Sequence, residues 1–341
     1  MSVRSLFENI NRGKKGLNRG IPQGLPKVDS ITYGLQRRWM TIIGADSGAG
    51  KSSYMLYTSI YKPYMEYISN PKYNLNWLIF SFEMSAEVLF AKLMSIYIYE
   101  KFNVVVPYGD ILSFNNPISD ANYQLTLQAR SWLEVLEKHC TIIDKPTTAD
   151  GLYAICKEWS RKFGTYEKVG EHKEEFIPND PEQYLIVCVD HIKLLATSPG
   201  HTSKQEIDKA CDYLIYFRNK CSFTEFIVQQ LNRNFKNMER RTAAGGVFAG
   251  VQLDDFSDSS GPIQAAETVI AIFHPLREKM SKCEKYDITK LRDRARIITI
   301  LKHRFGVADK SIGIGFYGEV GLWKELPMPD QITDYDKLIT L

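Results

Sequence analysis

WMTIIGADSGAGKSS, residues 39–53, is an apolar run that breaks into a glycine-rich loop ending in Lys-Ser-Ser. Trp39 to Ile43 reads as a buried strand, and the residues after Gly50 read as the start of a helix. Several backbone N–H groups can converge on one anion only where side chains stay out of the way. Gly44, Gly48 and Gly50 are read as clearing that space. The helix that follows offers an N-terminus with partial positive charge. At this spacing Lys51 can reach the β- and γ-phosphates of a nucleoside triphosphate, and the Ser52 hydroxyl can ligate Mg²⁺. The expected phosphate cradle is therefore Ala45, Asp46, Ser47, Gly48, Ala49, Gly50, Lys51, Ser52 and Ser53. Ala45 takes the opening position of this P-loop pattern, with Gly44 just before it. A chance glycine-rich turn is the competing reading, against which the strand before and the helix after both weigh.

The bulk composition narrows the rest. The chain has 341 residues, 44% of them hydrophobic, enough for one large α/β domain or two small ones. A net charge of +3 is nearly neutral, so contact with nucleic acid has to come from local basic loops rather than a global field. No apolar run approaches the roughly 18 residues of a membrane span, and the N-terminus lacks the apolar core of a secretory signal. Cys140, Cys156, Cys188, Cys211, Cys221 and Cys283 are scattered without a CxxC pair. They read as buried free thiols in a reducing compartment, the cytoplasm, rather than as a zinc site.

From Trp39 onward strand-like and helix-like segments alternate. Strands are expected at 39–43, 77–82, 140–144, 184–189, 225–229, 268–273, 296–303 and 311–316. Helices are expected at 51–68, 85–102, 118–138, 148–163 and 203–219. That alternation predicts an α/β fold with a mainly parallel sheet covered on both faces, and the closely spaced last two strands predict an antiparallel edge. Ser203 and Glu206 form a capping-box pattern for the last helix. Residues 164–183 and 276–295 read as charged, solvated excursions. Residues 1–20 are polar and basic, and Ser5 to Asn11 reads either as a short helix or as part of a frayed tail.

Further chemistry sits at strand ends. Tyr184 to Val189 is a continuous apolar run ending in Asp190, the arrangement in which an acid binds Mg²⁺ beside a P-loop hydroxyl. Leu78 to Phe82 ends in Glu83, which is either a base that polarises the attacking water or an acid favouring the next helix dipole. Phe226 to Val228 leads into Gln229-Gln230-Leu231-Asn232-Arg233, either a reporter of the γ-phosphate or an ordinary strand exit. Arg233, Lys236, Arg240 and Arg241, with Phe235 among them and glycines after, suit a single-stranded backbone binder; a solvated charged loop is the alternative. Lys302 and Arg304 alternate at the end of an apolar strand and so project from one face. They are either a basic strand end in solvent or cations for a neighbouring subunit's ATP.

The order of these pieces, from about Ile21 to Phe316, resembles the DnaB-type replicative helicases and their phage relatives, RecA-like hexameric ring motors. IPQGLPKVDSITYGLQRRWMTIIGADSGAGKSS is similar to that family's entry into its P-loop. SFEMS (81–85), YLIVCVDHIKLL (184–195), DDFSDSSGPIQAAETVIAIFH (254–274) and LKHRFG (301–306) resemble successive family motifs. The resemblance implies a RecA-like P-loop ATPase domain over 21–341, preceded by a basic arm at 1–20. It implies Glu83 as general base, Gln230 as γ-phosphate sensor, and Lys302 with Arg304 reaching the adjacent subunit's ATP. It also implies single-stranded DNA held by loops near 196–204 and 233–247, self-association as a ring, and a primase, polymerase or loader as partner. Only about 20 residues precede the match, so the collar or primase domain usual in that family is not expected. A recombinase-like filament and an ATP-switched loader or DNA-binding scaffold are the rival readings.

Overall fold

The computed structural model describes residues 3–71, 73–169, 174–232, 250–256 and 260–341. Within them the strands are β1 (Met40–Ala45), β2 (Leu75–Ser81), β3 (Cys140–Ile143), β4 (Gly164–Lys168), β5 (Glu174–Pro178), β6 (Tyr184–Asp190), β7 (Phe223–Gln230), β8 (Thr268–Phe273), β9 (Lys282–Cys283), β10 (Tyr286–Asp287), β11 (Ala295–His303), β12 (Lys310–Tyr317) and β13 (Leu322–Glu325). The large sheet has the order β13-β12-β11-β8-β1-β7-β6-β2-β3. From β8 to β3 the strands are parallel; β11, β12 and β13 add an antiparallel edge. The central parallel strands are buried on both faces, which is why β6 and β8 read as unbroken apolar runs instead of alternating. Along β2, Trp77 and Ile79 enter one core while Leu78 and Phe80 enter the other. No helix among the described residues is long and apolar enough to cross a membrane.

The expected helix at 51–68 exists but is not uniform. Lys51–Met55 is α-helical, Leu56–Tyr61 is a wider π-helical turn, and Lys62–Ser69 is α-helical again. Pro63 is the physical reason: it has no N–H to donate back along the helix, and the turn before it opens to accommodate its ring. The helix packs Tyr54, Tyr61 and Tyr64 against Trp77, Trp132 and Trp323.

Three expectations need correcting. The capping box of helix Ser203–Cys221 is Thr202 with Gln205, not Ser203 with Glu206. Glu206 is fully buried and instead accepts from the Ala149 N–H at 2.7 Å, the Ser198 hydroxyl at 2.9 Å and His201 at 2.9 Å. Residues 164–183 are not merely solvated: they hold the β4–β5 hairpin, anchored by buried Phe176 against Tyr166. Residues 276–295 hold the two-residue strands β9 and β10 and a helical turn, Ile288–Leu291. Strand β13 was not anticipated; it carries Trp323 onto the helix after the P-loop.

Helix Val3–Lys14 extends beyond the expected 5–11. Arg12 forms a bidentate pair with Glu182, both contacts 2.7 Å. Its apolar residues Val3, Leu6, Phe7 and Ile10 are 72%, 56%, 59% and 52% exposed, one stripe at helical spacing that is left uncovered among the described residues.

Candidate active site

The P-loop leaves β1 at Ala45, beside Gln230 of β7 and Ile272 of β8. Gly48 and Gly50 have φ of 71° and 104°, which a side chain rarely adopts. Gly44 serves another purpose than the one expected. A Cβ there would lie 2.1 Å from the Phe256 ring, so this glycine admits core packing rather than phosphate. The Ser53 hydroxyl lies 3.4 Å from both the Gly321 carbonyl and the Trp323 indole nitrogen, which ties the start of the helix to β13.

Outward-pointing P-loop carbonyls are tied down by two arginines that the sequence reading missed. Arg296, buried on β11, donates to the Ala49 carbonyl at 2.9 Å, and burial pulls its pKa down to about 10. Arg277, from the 276–295 excursion, donates to the Ser47 carbonyl and lies against Gly48. With the carbonyls held outside, the loop N–H groups are left for an anion. Alternation of Arg296 with buried apolar residues along β11 was the only available signal for it.

The acids meet the lysine at the carboxyl edge of the sheet. Glu83, two residues past β2 and 48% exposed at its side chain, pairs with Lys51 at 3.7 Å. Asp190 is directly across from Ser81 at the end of β6. It is 1% exposed, and neither carboxylate oxygen has a hydrogen-bond partner. Burial raises its pKa to about 6 against the pull of the nearby Ser52 hydroxyl and Lys51 ammonium. An orphaned carboxylate beside a hydroxyl offers hard oxygen donors of the kind that would hold Mg²⁺. Among the described residues no group of three or more His, Cys, Asp or Glu could hold a metal alone. Half-buried Lys92 also faces Asp190 and Glu83; burial lowers its pKa while the two acids oppose that.

Lys302 and Arg304 lie elsewhere. Strand β11 is antiparallel to β8, with Ile297 opposite Phe273 and His303 opposite Thr268. The end of β11 is therefore at the amino edge, roughly 17 Å from the P-loop edge at about 3.3 Å per residue. Lys302 donates to the Ile263 and Gln264 carbonyls, both at 2.8 Å, and Arg304 pairs with Glu267 at 3.0 Å. Burial, then the neighbouring Arg304, lowers the Lys302 pKa. Arg233, Lys236, Arg240 and Arg241 lie outside the described residues.

Residues 20–105 match the family model described as the DnaB-like helicase C terminal domain. That stretch of the chain is similar to part of a DnaB-like helicase domain. The matched DnaB-like segment contains the P-loop, Glu83 and the helix behind Glu83. A DnaB-like replicative helicase, solved for its interactions with primase, superposes with a TM-score of 0.70 at 17% identity, covering 96% of this chain and 68% of that one. A second solved structure, an ATPase domain, superposes with a TM-score of 0.69 at 17% identity, covering 96% of this chain and 99% of that one. At this identity the likeness is one of fold: the RecA-like sheet shared with DnaB-type motors. Comparison with curated proteins gives no match.

Proposed function

We propose that this chain is an ATP-driven helicase motor that assembles head to tail, as a hexameric ring, and moves along single-stranded DNA. The observation that carries this reading is the separation of its charges. Lys51, Glu83 and Asp190 share the carboxyl edge, whereas Lys302 and Arg304 project at the opposite edge, too far to serve their own P-loop. A pocket divided in this way is completed only between copies. Lys51 and the loop N–H groups bind the triphosphate, and Glu83 takes the proton of the attacking water. Ser52 and Asp190 would hold Mg²⁺, which neutralises charge on the β- and γ-phosphate oxygens. Lys302 and Arg304 from the neighbour stabilise the transferring phosphoryl group.

Gln230 neighbours Ala45, and the next residue, Leu231, donates its N–H to the Ala45 carbonyl at 3.1 Å. Loss of the γ-phosphate thus bears directly on the segment that begins at Arg233 and holds the expected DNA contacts. Buried Glu206, bonded to Ser198 and His201, anchors the second expected DNA loop. The cytoplasm and a primase, polymerase or loader as partner complete the reading.

The test is ATP hydrolysis with and without single-stranded DNA, strand displacement on forked substrates of both polarities, and imaging of the assembly. DNA-stimulated turnover, displacement from one polarity and closed rings are expected. Open filaments that coat DNA without displacing a strand would establish the recombinase reading instead.

Residues 1–20 form a docking arm in the same proposal, motivated by the exposed stripe of Val3, Leu6, Phe7 and Ile10. Deleting them should weaken assembly on a sizing column; an unchanged oligomer size refutes the arm.

A further inference from the structure

Glu267 immediately precedes β8 at the amino edge of the sheet and is 5% exposed. Its carboxylate accepts from the Met40 N–H at 2.7 Å, from Arg218 at 3.0 and 3.2 Å, and from Arg304 at 3.0 Å. Its backbone carbonyl also accepts the Arg304 N–H, at 2.8 Å. The same residue therefore holds Arg304 by main chain and by side chain. The other guanidinium nitrogen of Arg304 donates to the Gln264 carbonyl at 3.2 Å, and the Arg304 side chain stays 44% exposed.

An arginine side chain has many rotamers to lose when it is fixed. A cation that must meet a developing charge works best when it is already oriented. Arg304 has five N–H donors, and the contacts above leave some of them for an outside anion. The Met40 N–H and Arg218 already satisfy Glu267 as a buried carboxylate, so its contact to Arg304 is not needed to offset burial.

We propose that Glu267 is a positioning residue for Arg304, holding the guanidinium aimed out of the amino edge toward the triphosphate of an adjoining copy. The inference rests on the reading of Arg304 as a cation lent between subunits.

The test is a double-mutant cycle on the full chain, assembled with single-stranded DNA, using Glu267→Gln, Arg304→Ala and the two combined. Glu267→Gln is expected to keep oligomer size and the KM for ATP and to lower kcat roughly ten- to a hundred-fold, the scale of a small misplacement. With Arg304→Ala already present, adding Glu267→Gln should lower kcat no further. Equal loss in both backgrounds, or no loss of kcat, overturns the proposal. Undiminished kcat for Arg304→Ala by itself overturns the underlying reading instead. If Glu267→Gln fails to assemble, Arg218→Gln/Glu267→Gln, which removes both halves of the buried pair, takes its place in the cycle with the same criteria.

Discussion

Arg304→Ala is expected to lower ATP turnover by roughly three to five powers of ten, the range for losing an arginine supplied from outside the pocket. The loss should fall on kcat, because Arg304 sits at the edge away from its own P-loop and makes no contact there. Lys51→Ala should be equally inert, through loss of the phosphate-binding ammonium. The decisive measurement is the mixture. A subunit with Arg304→Ala keeps a complete P-loop, and one with Lys51→Ala keeps the cation to complete it. Under conditions of subunit exchange, random pairing makes about one interface in four competent, and turnover should return to that order. Two inert proteins that stay inert when mixed, with exchange demonstrated, would refute the shared pocket. Full-speed turnover by a monomeric preparation would do the same.

Glu83→Gln should reduce hydrolysis by roughly two to four powers of ten, the usual contribution of a positioned general base, while ATP and DNA binding persist. Glutamine preserves the size and polarity of the side chain but cannot take a proton from water. The pair with Lys51 is lost as well, yet at 3.7 Å, with Glu83 half-exposed to solvent, it contributes little. Single-turnover hydrolysis with nucleotide binding measured in parallel separates the step. Retained hydrolysis at near-normal rate would return Glu83 to its other role, an acid favouring the dipole of helix Ala86–Phe102. Function surviving the loss of hydrolysis would mark a scaffold instead of a motor.

The parallel core was legible because burial on both faces leaves a plain mark. TVIAIF and YLIVCVD can hardly be anything but interior strands, and both were located to within a residue. The hidden elements share a physical cause. Strand β13 is only four residues, and its decisive residue, Trp323, packs on a helix some 270 positions earlier in the chain. The β4–β5 hairpin hangs on Phe176 within charged residues, so periodicity is nearly silent there. Likewise Thr202 and Ser203 offer almost the same cap. What selects Thr202 is that Glu206 is drawn into the core to hold Ala149, Ser198 and His201, a demand no local window contains.

Local sequence determined the phosphate loop, the apolar strands and the acids that end them, because each depends on neighbours a few residues apart. Tertiary structure alone decided how those pieces face one another. The antiparallel turn of β11 against β8 sends Lys302 and Arg304 to the far edge. It also places Arg296 under Ala49, while Arg277 comes in over Ser47 from beyond β8. Strand direction and sheet order are global properties, set by which long connections can be packed. The same residues around Arg304 would serve a solvent edge or a subunit interface equally well until the sheet is built.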